Sequence, residues 1–559
     1  MKYFSEKITK IRDKFDALSP QRSPSVLPSN ITRLIEFEPT TEEEISHIIT
    51  TYGVKCSPED PVPVNVLKGN LDVFIPIWKD LVNLSLSTGS IDCLKSSVVL
   101  PTIKELDEIM DKDTYKNYRP VSNLIFLEKL TERVVADRLE KQMTVNDLHS
   151  EEENGYKEKH STELLMTKVV NDLLINCDDK KPTILLLLDL SAAFDTVDQE
   201  KLLAILKSEI GVEGTALKWF RSFLTERTQR VKINDVYSEI MVLKYGVTQG
   251  SVLGPPLFNI YIRSLYPYII PILYHILGFA DDHQLMKAFI PALQATASKD
   301  IEKCLNAITL WMNEFFLCLN ANKTQIIVIY PPSMEDKIIL RGTFINNVCI
   351  RYVKYAKNLG VLLDEKLTFG DQVQRVVKAC ICTIRKIAEI KSFLTEEELK
   401  TVVVAGVLMK LDYCNILYYG ITEARLNKLQ TIQNSAVHLI RKRMNQQDLS
   451  TSELLKKFHW LPVKKRIAFK ILLTVHKCLL GNAPIALRRM VVMGGSKRTL
   501  KLEERKCNGE MGERSFSVAG PKLWNLLPVE VRIEEDTEEF KKKLKTFLFR
   551  EVDNPNSRF

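Results

Sequence analysis

Apolar positions change their period along the chain, and the changes mark out its elements. The opening MKYFSEKITK mixes charged and apolar residues as a short charged helix does, and SPQRSPSVLPSN at 19–30 reads as a Pro/Ser-rich linker. Thr40 or Thr41, followed by a run of glutamates, predicts an N-cap with acids in the first helical turn. From about 91 to 370 short β-branched runs alternate with helical patterns, which predicts an α/β or α+β chain. After Arg119-Pro120, the spacing of Leu127, Leu130 and Val134 predicts a helix with its charges on the other face. Residues 371–480 read as almost wholly helical, and the glycine- and charge-rich 491–513 as a loop. An amphipathic helix around Phe540, Leu544 and Phe547 closes the chain, and no repeat of solenoid length occurs.

Two acidic strand ends stand out against this pattern. Ile184–Leu188, ILLLL, is the continuous apolar run of a strand buried on both faces, and it ends in Asp189. A second acidic group, Asp281-Asp282, sits at the tip of a predicted hairpin between two apolar runs. Alone, each is equally a strand-end cap or a solvated turn. Between them Gly246, Gly250 and Gly254 form a loop that permits close backbone approach, with a helix predicted to begin near Pro255 or Pro256. This loop lacks the lysine of a P-loop. If Asp189 and Asp281 lie side by side, their repulsion calls for a cation, and divalent magnesium serves phosphoryl transfer there.

Composition narrows the field. At 559 residues, 45% hydrophobic and 26% charged, the chain is a folded protein of several compact units and not a disordered one. Its opening lacks the apolar core of a signal peptide. The apolar stretch Leu265–Phe279 is broken by Pro267, Pro271 and His275 and is too short to span a bilayer. The 11 cysteines include no CxxC pair, which argues against zinc and disulfide frameworks and predicts a reducing compartment, cytoplasm or nucleus. The net charge of +8 is concentrated: residues 441–500 hold 14 Lys and Arg against 2 Asp and Glu. A polyanionic partner and a solvated basic surface both account for that stretch.

Read together, LLLLDLSAAFDTVD (185–198), YGVTQGSVLGPPLFNIYI (245–262) and GFADD (278–282) resemble the reverse transcriptases of LINE-type non-LTR retrotransposons, the jockey-like group in particular. Five further stretches agree in order: LPTIK (100–104), YKNYRPVSN (115–123), NGYKEKHST (154–162), LNANKTQ (319–325) and NLGVLLDEKLTF (358–369). HWLPVKKRI (459–467) and RSFSVAGPKLWNLLPVEVR (514–532) resemble the C-terminal region of the same elements. The resemblance implies an α+β right-hand polymerase. Residues 1–90 would be a helical N-terminal extension, 91–370 the fingers and palm, 371–440 a helical thumb, and 441–559 a basic, mostly helical C-terminal domain. It implies an RNA template, a DNA primer, deoxynucleoside triphosphates and two Mg2+ ions, with Mn2+ as a substitute.

By the same resemblance Asp189, Asp281 and Asp282 form the metal-binding triad, with the carbonyl of Leu190 as a further ligand. Phe194 is the steric gate against a 2′-hydroxyl, and Gln249 and Gly250 touch the incoming nucleotide. Lys104 and Arg119 supply positive charge to the triphosphate, and Lys323 is the general acid toward pyrophosphate. The family pattern is broken at Thr248, Pro256, His283 and Gln199, and at Lys157-Glu158-Lys159, so the alternative is a catalytically weak, nucleic-acid-binding remnant. Arg441, Lys442 and Arg443, with Lys464, Lys465 and Arg466, are expected to meet nucleic-acid phosphates. Trp460 and Trp524 are either base-stacking platforms or core anchors. His47 is the one histidine in the first hundred residues, so no nuclease site is expected there and a nick is expected to come from elsewhere.

Overall fold

The computed structural model describes residues 2–15, 31–53, 57, 59–103, 114–273, 275–339, 342–345, 348–444, 449–494, 500–552 and 559. The linker at 19–30 and Lys104 lie outside them. The chain divides into two compact units that interleave along the sequence. The first is Met1–Tyr156, Asp189–Tyr274 and Lys303–Ala321; the second is Lys157–Leu188, His275–Glu302 and Asn322–Phe559. Both mix helices with sheet, in agreement with an α+β chain. Nine strands bear on the site. They are β1 (Ser96–Ile103), β2 (Tyr118–Asn123), β3 (Thr183–Leu188), β4 (Thr228–Ile233), β5 (Val236–Tyr237), β6 (Met241–Val242), β7 (Ile276–Phe279), β8 (Asp282–Ala288) and β9 (Gln325–Ile329).

In the first unit, β2, β1, β4 and β5 lie side by side, with β6 also on β4. β1 is antiparallel to β2 and parallel to β4, the latter pairing ending at Val99↔Val231. Pro101 and Pro120 face each other beyond that point, where a missing N–H removes no bond to β4. The helices of this unit pack chiefly on one another. Thr41, rather than Thr40, caps the helix Glu42–Tyr52 by accepting from the Glu44 N–H. Trp219, fully buried, stacks on Phe223 with ring centres 5.5 Å apart.

The helix Phe126–Val145 corrects one sequence expectation. Its apolar face runs through Phe126, Leu130 and Val134, but Glu128 and Glu132 are buried with it and do not face solvent. Glu128 is held by the Arg227 guanidinium, which also donates to the Phe223 carbonyl at 3.2 Å. Glu132 Oε2 accepts the backbone N–H groups of Val252 and Leu253 at 2.8 and 2.9 Å. Partners of high sequence separation make this burial tolerable.

The second unit is built on an antiparallel sheet in the order β7, β8, β3, β9. All six residues of β3 are buried, as a strand with neighbours on both sides and packing on both faces must be. Asn358 donates to the buried Gln284 of β8 at 2.9 Å, and Asp364 accepts the Thr368 and Phe369 N–H groups at 2.9 and 2.7 Å. The stretch NLGVLLDEKLTF therefore works as a brace. Helices Gly370–Ile390, Glu423–Met444, Val463–Leu479, Phe516–Asn525 and Thr537–Arg550 pack around one continuous core. Trp524 is fully buried, donates to the Leu500 carbonyl at 2.8 Å and stacks on Phe540. Trp460 is 8% exposed, so both tryptophans are core anchors and not stacking platforms. Among the described residues no helix is long and apolar enough to cross a membrane.

The buried acids of the first unit set a pH dependence. Burial pushes Glu128 up to about 7 against the pull of Arg227. Burial and the neighbouring Glu128 push Glu132 up to about 8. Both ordinarily ionise near 4.5, so over the interval between, the folded chain binds more protons than the unfolded one. This contribution to stability is complete below about 4.5 and is lost as pH rises through about 7 and 8. The urea midpoint of unfolding is expected to fall from about pH 5 to about pH 8.5, and Glu132→Gln to flatten that fall. A slope in the variant equal to that of the parent protein would remove Glu132 as its source.

Candidate active site

The apolar run of β3 ends because its neighbours end. The last pair of the β3–β8 ladder is Leu188↔His283, so the next residue along each strand is acidic: Asp189 and Asp282. On the other side β3 pairs with β9 as far as Leu187↔Gln325, and Lys323 stands exposed in the turn before β9. β7 and β8 close through a two-residue turn, Ala280-Asp281, between the paired Phe279 and Asp282. Ala280 adopts φ 58°, the left-handed region that alanine rarely occupies, so the turn holds Asp281 at a local conformational cost. Asp189 and Asp281 are half-buried and Asp282 is exposed. His283, the departure from the family pattern, is fully enclosed, and burial lowers its pKa to about 4, so it is a neutral interior group at neutral pH.

The backbone leaving β3 is fixed within the first unit. Asn320 N–H donates to the Asp189 carbonyl at 2.8 Å and Ser191 N–H to the Cys318 carbonyl at 2.9 Å. Neither bond uses the Leu190 carbonyl. Ala192 then turns through φ 53° and presents Phe194, whose ring stacks on Phe258 at 4.5 Å with the edge of Tyr156 at 6.5 Å.

The glycine loop is threaded against this segment. Val247 N–H donates to the Phe194 carbonyl at 2.9 Å and Gly246 N–H to the Val197 carbonyl at 2.8 Å. A Cβ on Gly246 would lie 2.9 Å from the Asp195 backbone, and one on Gly250, at φ 102°, would lie 2.4 Å from the Ser122 carbonyl. Ser122 N–H in turn donates to the Gln249 carbonyl at 2.8 Å. Gln249 Nε2 donates to Asp195 Oδ1 at 2.8 Å, which fixes the amide. Burial raises the Asp195 carboxyl to about 6, while Lys7 and the Gln249 bond pull it down. Gln199, another departure, donates to the Gly246 carbonyl at 3.2 Å and so supports the same loop.

Phe194, Gln249 and Gly250 are thus brought together in the first unit, with exposed Arg119 on β2 three residues from Ser122. Asp281 and Asp282 on the β7–β8 hairpin and Lys323 before β9 lie at the same end of the second unit's sheet, with β3 between β8 and β9. Sequence reasoning missed Asp195, Ser122 and Glu132. Asp195 lies inside the quoted AFD stretch, and an acidic pair at i, i+4 on an apolar helix face was the available signal for Glu132.

The basic residues are placed differently from expectation. Lys465 is buried and its Nζ donates to the backbone oxygen of Phe559 at 3.3 Å. Arg466 is forked onto the Asp412 carboxylate, with Nε to Oδ1 at 2.7 Å. Lys464 stays at the surface with Glu423 3.7 Å away. Helical periodicity explains the split, because three consecutive helix residues cannot share one face. Arg441 reaches the Leu449 carbonyl at 3.5 Å, and the side chains of Lys442 and Arg443 lie outside the described residues.

Residues 109–363 match the reverse transcriptase (RNA-dependent DNA polymerase) family. The chain is 27% identical over 344 residues to the probable RNA-directed DNA polymerase from transposon BS of Drosophila melanogaster, covering 59% of this chain and 36% of that protein. It is 26% identical over 411 residues to the RNA-directed DNA polymerase from mobile element jockey of the same fly, covering 72% and 44%. With the probable polymerase from transposon X-element identity is 26% over 332 residues, covering 58% and 35%. The chain thus spans less than half the length of these relatives. The ordered motifs and the α+β architecture thus agree with a reverse transcriptase (RNA-dependent DNA polymerase) region at residues 109–363, similar to the polymerases of these transposons.

Proposed function

We propose that this chain is an RNA-directed DNA polymerase that extends a DNA primer on an RNA template with deoxynucleoside triphosphates. The observation that carries the reading is the end of β3, where the ladder stops with acidic residues next on both strands. In this reading the chain has a right-hand arrangement, with fingers and palm at 91–370, a thumb at 371–440, and a C-terminal domain that helps hold the duplex. The starting nick comes from elsewhere, and the protein works in cytoplasm and nucleus.

The donor set suits a hard divalent ion. Among the described residues no cluster of three or more His, Cys, Asp and Glu forms a protein-only cage. Magnesium is commonly held by one or two carboxylates plus substrate phosphates, so such a cage is not needed. Asp189, Asp281 and Asp282, with the Leu190 carbonyl, would hold it. When bound, the metal stabilises the attacking and leaving oxygens of phosphoryl transfer. Phe194, braced by Phe258, limits the space at the sugar. Gln249, its amide fixed by Asp195, orients the nucleotide. Arg119 draws the triphosphate, and Lys323 is placed to give a proton to departing pyrophosphate.

Asp281→Asn is expected to abolish primer extension on a homopolymer RNA while leaving duplex binding intact, since it removes a metal ligand and no phosphate contact. Retention of more than a few per cent of activity would end the metal assignment. Duplex binding with no incorporation by the parent chain would instead favour the remnant reading, which the departures at Thr248 and Lys157–Lys159 motivate. Phe194→Val is expected to admit ribonucleotides in single-nucleotide incorporation, and unchanged sugar discrimination would take Phe194 out of that role.

The placement of the basic residues gives a separate outcome. Lys464→Gln is expected to lower the slope of log K against log salt by about 0.9 at most, one phosphate contact. Arg466→Gln is expected to leave that slope alone and reduce stability by about 1 kcal/mol through loss of its ion pair. Anisotropy titrations across a salt series and urea unfolding separate the two.

A further inference from the structure

Helix Gly254–Ile262 starts in an unusual way for its hydrogen bonds. Pro255 and Pro256 have no N–H, so the donors to be satisfied at its start are those of Val252, Leu253 and Gly254. Gly254 is served by Ser251 Oγ at 2.8 Å. Val252 and Leu253 are both served by one atom, Oε2 of Glu132, at 2.8 and 2.9 Å. Glu132 is fully buried and reaches this point from a helix more than a hundred residues earlier in the chain. Its neighbours on that helix are Glu128, itself tied to Arg227, and half-buried Lys129, whose Nζ donates to Asn123 Oδ1 at 3.1 Å.

The same loop is tied at its other end to Val197 and Phe194 through Gly246 and Val247, and at Gln249 to both Asp195 and Ser122. Ser122 and Glu132 belong to one continuous stretch, the end of β2 and the helix that follows it. The loop that carries Gln249 is therefore stretched between the Phe194–Val197 segment on one side and this strand–helix stretch on the other. Removing the Glu132 acceptor frees two adjacent donors at once and leaves the C-terminal half of the loop without its anchor.

From this geometry we propose that Glu132 is a positioning residue for the nucleotide-side loop: its carboxyl oxygen, accepting from Val252 and Leu253, sets where Gln249 and Gly250 stand. This rests on the polymerase reading given above. The role requires an acceptor at that point and not a negative charge. Glu132→Gln keeps an oxygen acceptor, Glu132→Leu keeps the bulk without one, and Glu132→Asp keeps the carboxyl but withdraws its oxygens by one methylene.

The test is nucleotide kinetics on an oligo(dT)-primed poly(A) template, with hydrogen exchange followed in the peptide containing Val252 and Leu253. Glu132→Leu and Glu132→Asp are expected to raise KM for dTTP about tenfold, with kcat changed less than about threefold. Glu132→Gln is expected to stay within about twofold of the parent chain. Exchange at Val252 and Leu253 should be fast in the Leu and Asp variants and slow in the Gln variant. A residue that only stabilises would lower the melting temperature of the variants without moving KM, and that result overturns the proposal. So does a Gln variant as impaired as the Leu variant. If Glu132→Leu does not fold, the Asp and Gln pair decides by the same comparison. Absence of incorporation by the parent chain would sink the polymerase reading, and slow exchange at Val252 and Leu253 in Glu132→Leu would separately sink the anchoring.

Discussion

A strand buried on both faces can run only as far as its neighbours accompany it, and where β3 stops sets where the proposed chemistry would sit. Thr183–Leu188 has no polar side chain beyond Thr183 and no exposed edge, because β8 and β9 pair with it on either side. The register is strict, since a slip of one residue would turn every side chain to the opposite face. With Leu188 opposite His283, the first residues released from the ladder are carboxylates. Everything proposed for the site depends on that register.

Polar burial organises the rest of the site. The loop at 246–253 buries Val247 and Leu253, and its glycines Gly246 and Gly250 approach backbone too closely for a Cβ. Its position comes from hydrogen bonds to Phe194, Val197, Ser122, Asp195 and Glu132. Such bonds contribute modestly to net stability, but each is expensive to leave unmade in an enclosed setting. That asymmetry makes the loop a defined object, and it explains why two acids are tolerated inside the helix Phe126–Val145. The consequence is a fold whose stability and loop geometry share the same buried groups.

Several stretches quoted for their family resemblance prove to be structural. Asn358 braces β8, and Asp364 braces its own following turn at Thr368 and Phe369, both through side-chain hydrogen bonds. Trp460 and Trp524 fill the core of the helical second unit. Lys465 and Arg466 serve interior and ion-pair contacts. Motif density along a sequence thus marks both the chemistry and the scaffold that positions it, and burial separates the two.

The sequence by itself determined the elements whose information is local. Period and length gave the buried strand ending at Asp189, the hairpin with Asp281-Asp282, the cap at the start of Glu42–Tyr52 and the helical run from 371. The order of the motifs gave the resemblance to reverse transcriptases, which the match over 109–363 shares. What only the tertiary structure decided are matters of partnership between distant residues. No periodicity tells that Glu128 and Glu132 find Arg227, Val252 and Leu253 and so turn inward, or that Asp195 holds Gln249. Nor does charge counting tell which of Lys464, Lys465 and Arg466 faces water, because consecutive residues on a helix point about 100° apart. A charged side chain reads as exposed until a partner far along the chain makes its burial affordable, and that partner is visible only after folding.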